Sequence, residues 1–334
     1  MHGHGSQHVF VAVKLRRGLV RVPLGDDAGA RADFEAVAER LPDQPLMHYG
    51  LGLLALRRQQ PAEAVTAFER ALQRAPEDAG THEQLARARL ALGQREPALA
   101  ERIRALGRTV VLTREPGGTP IGEVIRALLF DRSLGEFEPR TEALLHSAAR
   151  AQHVAELIAP ALERGESVIT DRFIDSTLAY QGGGNHLSLV DLESIQAFAI
   201  QDTVPDLRIL IDVPPATGLA RRLADAAHVN RIDEAGLAYH SRVAETFRSL
   251  AAVHPEWWFV VDGSLPDGLV GDLPTGSGIL AVLEVLLEHL RAPTPDALAA
   301  ALGASDTTDG PRVSELPPLH SGVMGYLGYD VVRE

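Results

Sequence analysis

Val168-Ile-Thr-Asp-Arg-Phe173 decides the fold. An apolar, β-branched start is followed at once by a carboxylate, a guanidinium and an aromatic ring. The run is short and apolar on both faces, as a strand of a covered parallel sheet is. Open α/β sheets bind ligands at the carboxyl ends of their strands. Asp171 and Arg172 therefore stand where a ligand would lie.

Working outward, Thr113-Arg-Glu-Pro-Gly-Gly-Thr119 also follows a strand-like run and precedes a helical one. Gly117 and Gly118 let backbone approach a ligand closely, and Arg114 offers a bidentate fork to phosphate. A helical segment, Thr141 to His153, comes next. Tyr180-Gln-Gly-Gly-Gly184 is a second glycine-rich turn. Strands are predicted at 108–113, 167–170, 208–213 and 258–261, with helices between them. Strands alternating with helices imply a parallel sheet with crossover helices.

The rest of the chain differs in character. His8-Val-Phe-Val-Ala-Val-Lys-Leu15 alternates and is rich in valine, which predicts a strand within residues 1–29. Residues 30–106 are rich in Ala, Leu, Glu, Arg and Gln with helical apolar spacing. A 34-residue step aligns His48 with His82, Leu51 with Leu85, Ala64 with Ala98 and Ala71 with Ala105. Counted from Pro45, the unit carrying Gly52, Ala64, Phe68, Ala71 and Pro76 resembles a tetratricopeptide repeat. A second unit, Ala79 to about Gly107, is degenerate, with Arg102 where the aromatic would be. Two units are fewer than such arrays need to stand alone. A protein partner on these helices is one expectation, and plain packing is the other. Residues 271–334 hold an apolar helix near 279–291 and a tail rich in Pro, Ser and Thr. Ser321–Glu334 resembles a short piece of the anthranilate synthase large subunit.

Composition narrows the function. The net charge of −13 disfavours non-specific nucleic-acid binding, which needs a basic face. The absence of Cys excludes disulfides, thiolate metal sites and cysteine nucleophiles. No run approaches the ~18 apolar residues of a membrane span, and Met1–Phe10 lacks a signal-peptide layout. The expectation is a cytoplasmic protein. His2, His4 and His8 read as a terminal tract, and Trp257 and Trp258 as core.

The blocks at 113–119, 141–153, 168–173 and 180–184, in this order, resemble thymidylate kinase over about residues 101–265. The implied fold is α/β: a P-loop-kinase-like parallel sheet with flanking helices, preceded by a repeat-like helical segment. The divisions are then 1–29, 30–100, 101–270 and 271–334. The resemblance implies phosphoryl transfer from MgATP to dTMP, giving dTDP. It assigns the dTMP phosphate to Arg114, with Pro116 beside the sugar, and the thymine edge to Arg150. Asp171 and Arg172 would position Mg²⁺ and bridge the phosphates. Tyr180 and Gln181 would touch the nucleoside. Arg221, Arg222 and Arg231 fall in the lid over ATP, and a homodimer is implied.

Departures from the family pattern are equally specific. The family's Gly-x-x-x-x-Gly-Lys-Ser/Thr loop cradles ATP phosphates on backbone N–H groups and a lysine. The sequence has one lysine, Lys14, between Val13 and Leu15, so the loop occurs nowhere in these residues. The strand that precedes it is missing too, and His8–Leu15 is the expected substitute between the strands at 167–170 and 208–213. His146 replaces the aromatic that stacks on thymine, and Leu223–His228 is poor in arginine. The readings from another class are a non-catalytic nucleotide-binding or helical-repeat interaction protein, and a composite chain without an evolved function.

Overall fold

The computed structural model describes residues 3–224, 230 and 232–263. Arg231, the helix expected near 279–291 and the 321–334 segment lie outside the described residues. Two compact units meet at the Thr109–Val110 boundary.

The first unit is all-helical: α1 (Gly3–Leu24), α2 (Asp27–Ala38), α3 (Pro45–Arg57), α4 (Pro61–Leu72), α5 (Ala79–Ala91) and α6 (Arg95–Ala105). They pack as the hairpins α1/α2, α3/α4 and α5/α6. Asp26 and Asp78 cap α2 and α5 by accepting from the N–H of Gly29 and Thr81. Proline fits the first turn of α3 and of α4, where the missing N–H has no helical partner anyway.

The expected strand at His8–Leu15 is helix α1 instead. The valine alternation competes with a helical stripe, Val11, Leu15, Gly18 and Val22, and all of these are buried. Lys14, Arg17 and Arg21 form a second stripe that converges on buried Asp33. Lys14 Nζ donates to it at 2.9 Å, Arg17 Nε at 2.6 Å and Arg21 Nη1 at 2.7 Å. The Arg17 guanidinium, first among these, holds the Asp33 carboxyl well below the ordinary carboxylate range. Only a helix places both stripes at once, so tertiary contacts override the β-propensity of valine.

Hairpin α1/α2 is also a repeat unit. At the 34-residue step Gly18 matches Gly52, Ala30 matches Ala64, Phe34 matches Phe68 and Val37 matches Ala71, and the structure buries all of them. The glycines are notches for the rings. A Cβ on Gly18 or Gly50 would lie 2.6 or 2.2 Å from the Phe34 ring, and one on Gly52 would lie 2.4 Å from Phe68. Buried acids also recur: Lys14 pairs with Asp33 in the first unit and His82 with Glu101 in the third. His48 and His82 each donate through Nε2 to a proline carbonyl, Pro42 at 2.8 Å and Pro76 at 2.7 Å. Three hairpins reach the number at which such an array supports itself.

The second unit contains β1 (Val110–Arg114), α7 (Pro120–Phe130), α8 (Pro139–His153), α9 (Ala159–Glu163), β2 (Ser167–Asp171), α10 (Ile174–Thr177), α11 (Leu189–Ile200), β3 (Arg208–Asp212), α12 (Pro215–Ala224), α13 (Leu237–Val253) and β4 (Trp258–Asp262). All four expected strands are present. They form two separate parallel pairs, β1 with β2 and β3 with β4. One core joins the pairs, with Val168 and Phe173 beside Leu210, Phe247 and Trp258. Among the described residues no strand pairs with the inner edges of β2 and β3. Residues 8–15 do not fill that slot, because they are committed to α1 and its packing on α2 and α3.

Candidate functional site

Parallel pairing brings Arg114 at the end of β1 opposite Asp171 at the end of β2. The Glu115 N–H extends the ladder by donating to the Asp171 carbonyl at 2.8 Å. Beyond Arg114 the chain turns through Glu115, Pro116, Gly117 and Gly118 into α7. Both glycines have positive φ, +133° and +79°, which a side chain would strain. Thr119 caps α7 by accepting from the Gly122 N–H at 3.0 Å.

Glu123, one turn into α7, organises the exposed side of this loop. It accepts from the Gly118 N–H at 3.1 Å and from Arg114 Nη2 at 3.1 and 3.2 Å. The Gly118 N–H, with Arg114 and Arg126 adding to it, holds the Glu123 carboxyl below its ordinary range. Arg114 is thereby aimed, while its buried Nε has no partner among the described residues.

Beneath the loop lies a buried polar network centred on Glu115. Arg150 Nε donates to Glu115 Oε2 at 2.7 Å, and His153 Nδ1 faces Oε1 at 3.0 Å. The rest of the Arg150 guanidinium donates to Thr177 Oγ1 at 3.0 Å, to the Phe173 carbonyl at 2.8 Å and to Gln196 Oε1. His153 Nε2 meets Thr113 Oγ1 at 2.8 Å. A Cβ on Gly118 would fall 2.6 Å from His153 Nε2, so the glycine loop rests directly on the imidazole. Every nitrogen of Arg150 serves the protein, and the arginine therefore ties β1, β2, α8, α10 and α11 together.

Arg172 follows β2 with φ +71°, a left-handed conformation that costs a non-glycine residue of order 1 kcal/mol or more. This bend directs its guanidinium over the Tyr180 ring, 5.0 Å from the centroid. Strain of this kind persists where surrounding structure fixes it, often at ligand sites. Among the described residues, the Asp171 carboxylate accepts no hydrogen bond.

The family model described as thymidylate kinase matches residues 95–272, more than half of the chain. The chain belongs to the thymidylate kinase family. It is 47% identical to the thymidylate kinase of Thermomicrobium roseum over 196 residues, covering 58% of this chain and 90% of that one. Against the thymidylate kinase of Pseudomonas fluorescens strain SBW25 the identity is 46% over 193 residues, with 58% and 89% covered. A tetratricopeptide-repeat model matches residues 45–78, the α3/α4 hairpin.

Within this thymidylate kinase-family unit the structure gathers Arg114, Pro116, Asp171 and Arg172 at the ends of β1 and β2. It sets other expected contacts deeper. Tyr180 is in the core against Tyr239 and Phe247, with centroids 6.4 and 6.3 Å away. Gln181 is buried and reaches Glu142 Oε1 at 3.4 Å. The 180–184 segment is a wide helical turn packed on α13, not an open glycine loop. A Cβ on Gly183 would collide with Thr246, and Arg242 donates to the Gly183 and Gly184 carbonyls at 3.3 and 2.8 Å. His146 is partly buried on α8. Of the lid arginines, Arg221 donates to the Gly263 carbonyl at 3.2 Å and Arg222 to Asp233 at 3.0 Å. Lys14 is on α1, bound to Asp33. Sequence reasoning missed Glu115, Glu123 and His153. Glu115 stands inside a quoted motif, but nothing local marks His153 as its partner.

Among the described residues no cluster of three metal-ligating side chains occurs, and no helix is long and apolar enough to cross a membrane.

Proposed function

We propose that this chain binds dTMP at the ends of β1 and β2 and does not by itself sustain transfer from MgATP. The observation that supports the first part is the Arg114–Asp171 pairing, with Arg114 held by Glu123 and its Nε unpartnered. A dianionic phosphate seated on Arg114 would complete that guanidinium by a charge-assisted fork. Arg172 stands one residue from Asp171 and adds a second cation to the same end of the sheet. Arg150 acts as a positioning residue that fixes the loop from below.

The donor side is weaker. Mg²⁺ is commonly held by one or two carboxylates plus substrate phosphates, and the open Asp171 carboxylate fits one such position. Magnesium would neutralise charge on transferring phosphates. However, phosphoryl transfer rests almost wholly on positioning and electrostatics. The sequence has no lysine other than Lys14 and no Gly-x-x-x-x-Gly-Lys loop. These residues supply an acceptor site without a donor cradle.

Calorimetric titration with dTMP and a coupled assay of ADP release from MgATP test this together. Binding without dTMP-dependent turnover is expected, and Arg114→Ala weakens binding at least tenfold. Turnover in the folded chain overturns the negative half. Failure of dTMP to bind overturns the positive half.

A further inference from the structure

A single imidazole holds the strand end that carries Arg114. Side chains alternate along a strand, so Thr113 and Glu115 share one face of β1 and Arg114 takes the other. The Glu115 N–H continues the ladder to Asp171, which carries that alternation one residue past β1. Burial follows the same pattern. Glu115 lies inside, while Leu112 is 40% exposed and the Arg114 side chain 34%. His153, fully buried, sits against the inner face. It is the last residue of α8, and the helix widens directly after it, over Val154–Ile158, in a turn of a kind frequent at functional sites.

The ring grips that face at both points. Nδ1 lies 3.0 Å from Glu115 Oε1, and Nε2 lies 2.8 Å from Thr113 Oγ1. A carboxylate paired with arginine only accepts, so Nδ1 carries the proton. In the neutral ring Nε2 then accepts from the Thr113 hydroxyl. Gly118 is the third point: a Cβ there would fall 2.6 Å from Nε2 and 2.7 Å from Thr113 Oγ1. His153 thus touches the residues before and after Arg114, together with the glycine whose N–H meets Glu123. Arg150 shares Glu115, but its other nitrogens turn to Thr177, Phe173 and Gln196, outside the loop.

We propose that His153 is a positioning residue for the ligand's phosphate, and that it acts by stapling the Thr113–Gly118 turn so that Arg114 projects from the opposite face. The proposal rests on the reading that dTMP is bound at the ends of β1 and β2. In that reading Arg114 and the turn meet the phosphate. Releasing the turn from the imidazole therefore weakens dTMP and spares thymidine, which has no phosphate to lose.

Calorimetric titrations of the full chain with dTMP and with thymidine, run separately, test this. His153→Asn sets an amide near the Nδ1 position, so Glu115 keeps a donor while Thr113 and Gly118 lose the ring. It is expected to bind dTMP about tenfold more weakly, the order of one hydrogen bond to a charged group, and thymidine within about twofold of the native chain. His153→Gln extends an amide to the Nε2 position and is expected to bind dTMP within about threefold of the native chain, since one neutral hydrogen bond is at stake. Tryptophan fluorescence in urea verifies folding. If His153→Asn melts, Thr113→Val removes the same hydrogen bond at nearly constant volume and is expected to show the same split between dTMP and thymidine. Unchanged dTMP affinity in His153→Asn, equal losses for both ligands, or no better binding by His153→Gln than by His153→Asn overturns this proposal alone. A native chain that binds no dTMP overturns the reading beneath it, and this proposal with it.

Discussion

Glu115→Leu isolates the network beneath the loop. Arg150 and Glu115 have side chains only 2% and 3% exposed. The substitution leaves a buried guanidinium facing the neutral oxygens of Thr177, Gln196 and Phe173. Removing one partner of a buried ion pair costs about 3–5 kcal/mol. With a urea slope of about 2 kcal/mol per molar, the midpoint falls by about 1.5–2.5 M. The two tryptophans, Trp257 and Trp258, both lie in the second unit, so tryptophan fluorescence reports its unfolding without interference from the repeats. The double variant Glu115→Leu/Arg150→Met removes both charges and is expected to recover most of the loss, since apolar replacement of a whole pair is often neutral. A single-variant shift under about 0.5 M, or a double variant as weak as the single, would refute the claim that charge pairing and not side-chain volume holds this site.

Other perturbations separate the remaining parts. Hydrogen bonding to Glu101 raises the His82 pKa in the folded chain, as expected when both ring nitrogens face acceptors. This pair's contribution is therefore full below the unfolded histidine value of about 6.5 and lost as pH rises through the folded value. Repeat-unit melts followed by circular dichroism should weaken above neutrality, and His82→Gln should flatten the slope. Asp33 has the opposite sign. Its depressed pKa stabilises above about pH 4 and the benefit fades as pH falls, so Asp33→Asn should reduce the acid sensitivity of the same melts. Phe34→Ala empties the notch between Gly18 and Gly50 and should cost about 3–5 kcal/mol by denaturant titration. Arg172→Gly relieves the left-handed backbone, so it should raise stability by up to about 1 kcal/mol while lowering dTMP affinity.

Much of the second unit was legible because its strands are short apolar runs that end in charged residues. Ser167–Asp171 and Arg208–Asp212 emerge within a residue of expectation. The first helix was not legible by the same rule. Period-two valines and a 3.6-residue stripe coexist in residues 9–22, and the deciding partner, Asp33, is remote in sequence. The repeat step itself held the answer, since Gly18 and Phe34 match Gly52 and Phe68, but a register begun at Pro45 looks only forward. At the site, Arg114, Asp171 and Arg172 could be picked out by residue type at strand ends. Glu115, His153 and the internal engagement of Arg150 could not, because a buried network is defined by which helices meet. The glycines at 182–184 misled for a related reason. Glycine serves close helix packing as readily as it serves a ligand loop.

Helix α6 belongs to two patterns at once. It closes the third hairpin, with Ala98, Ala100 and Ile103 buried, and the thymidylate kinase match begins at its first residue, Arg95. Modules strung on a linker can be separated by a protease or a cloning boundary and each survive whole. Here the family match and the packing divide the chain at different places: a cut before Arg95 follows the match but strips the repeats of their last wall, whereas a cut at Thr109–Val110 falls between the two compact units.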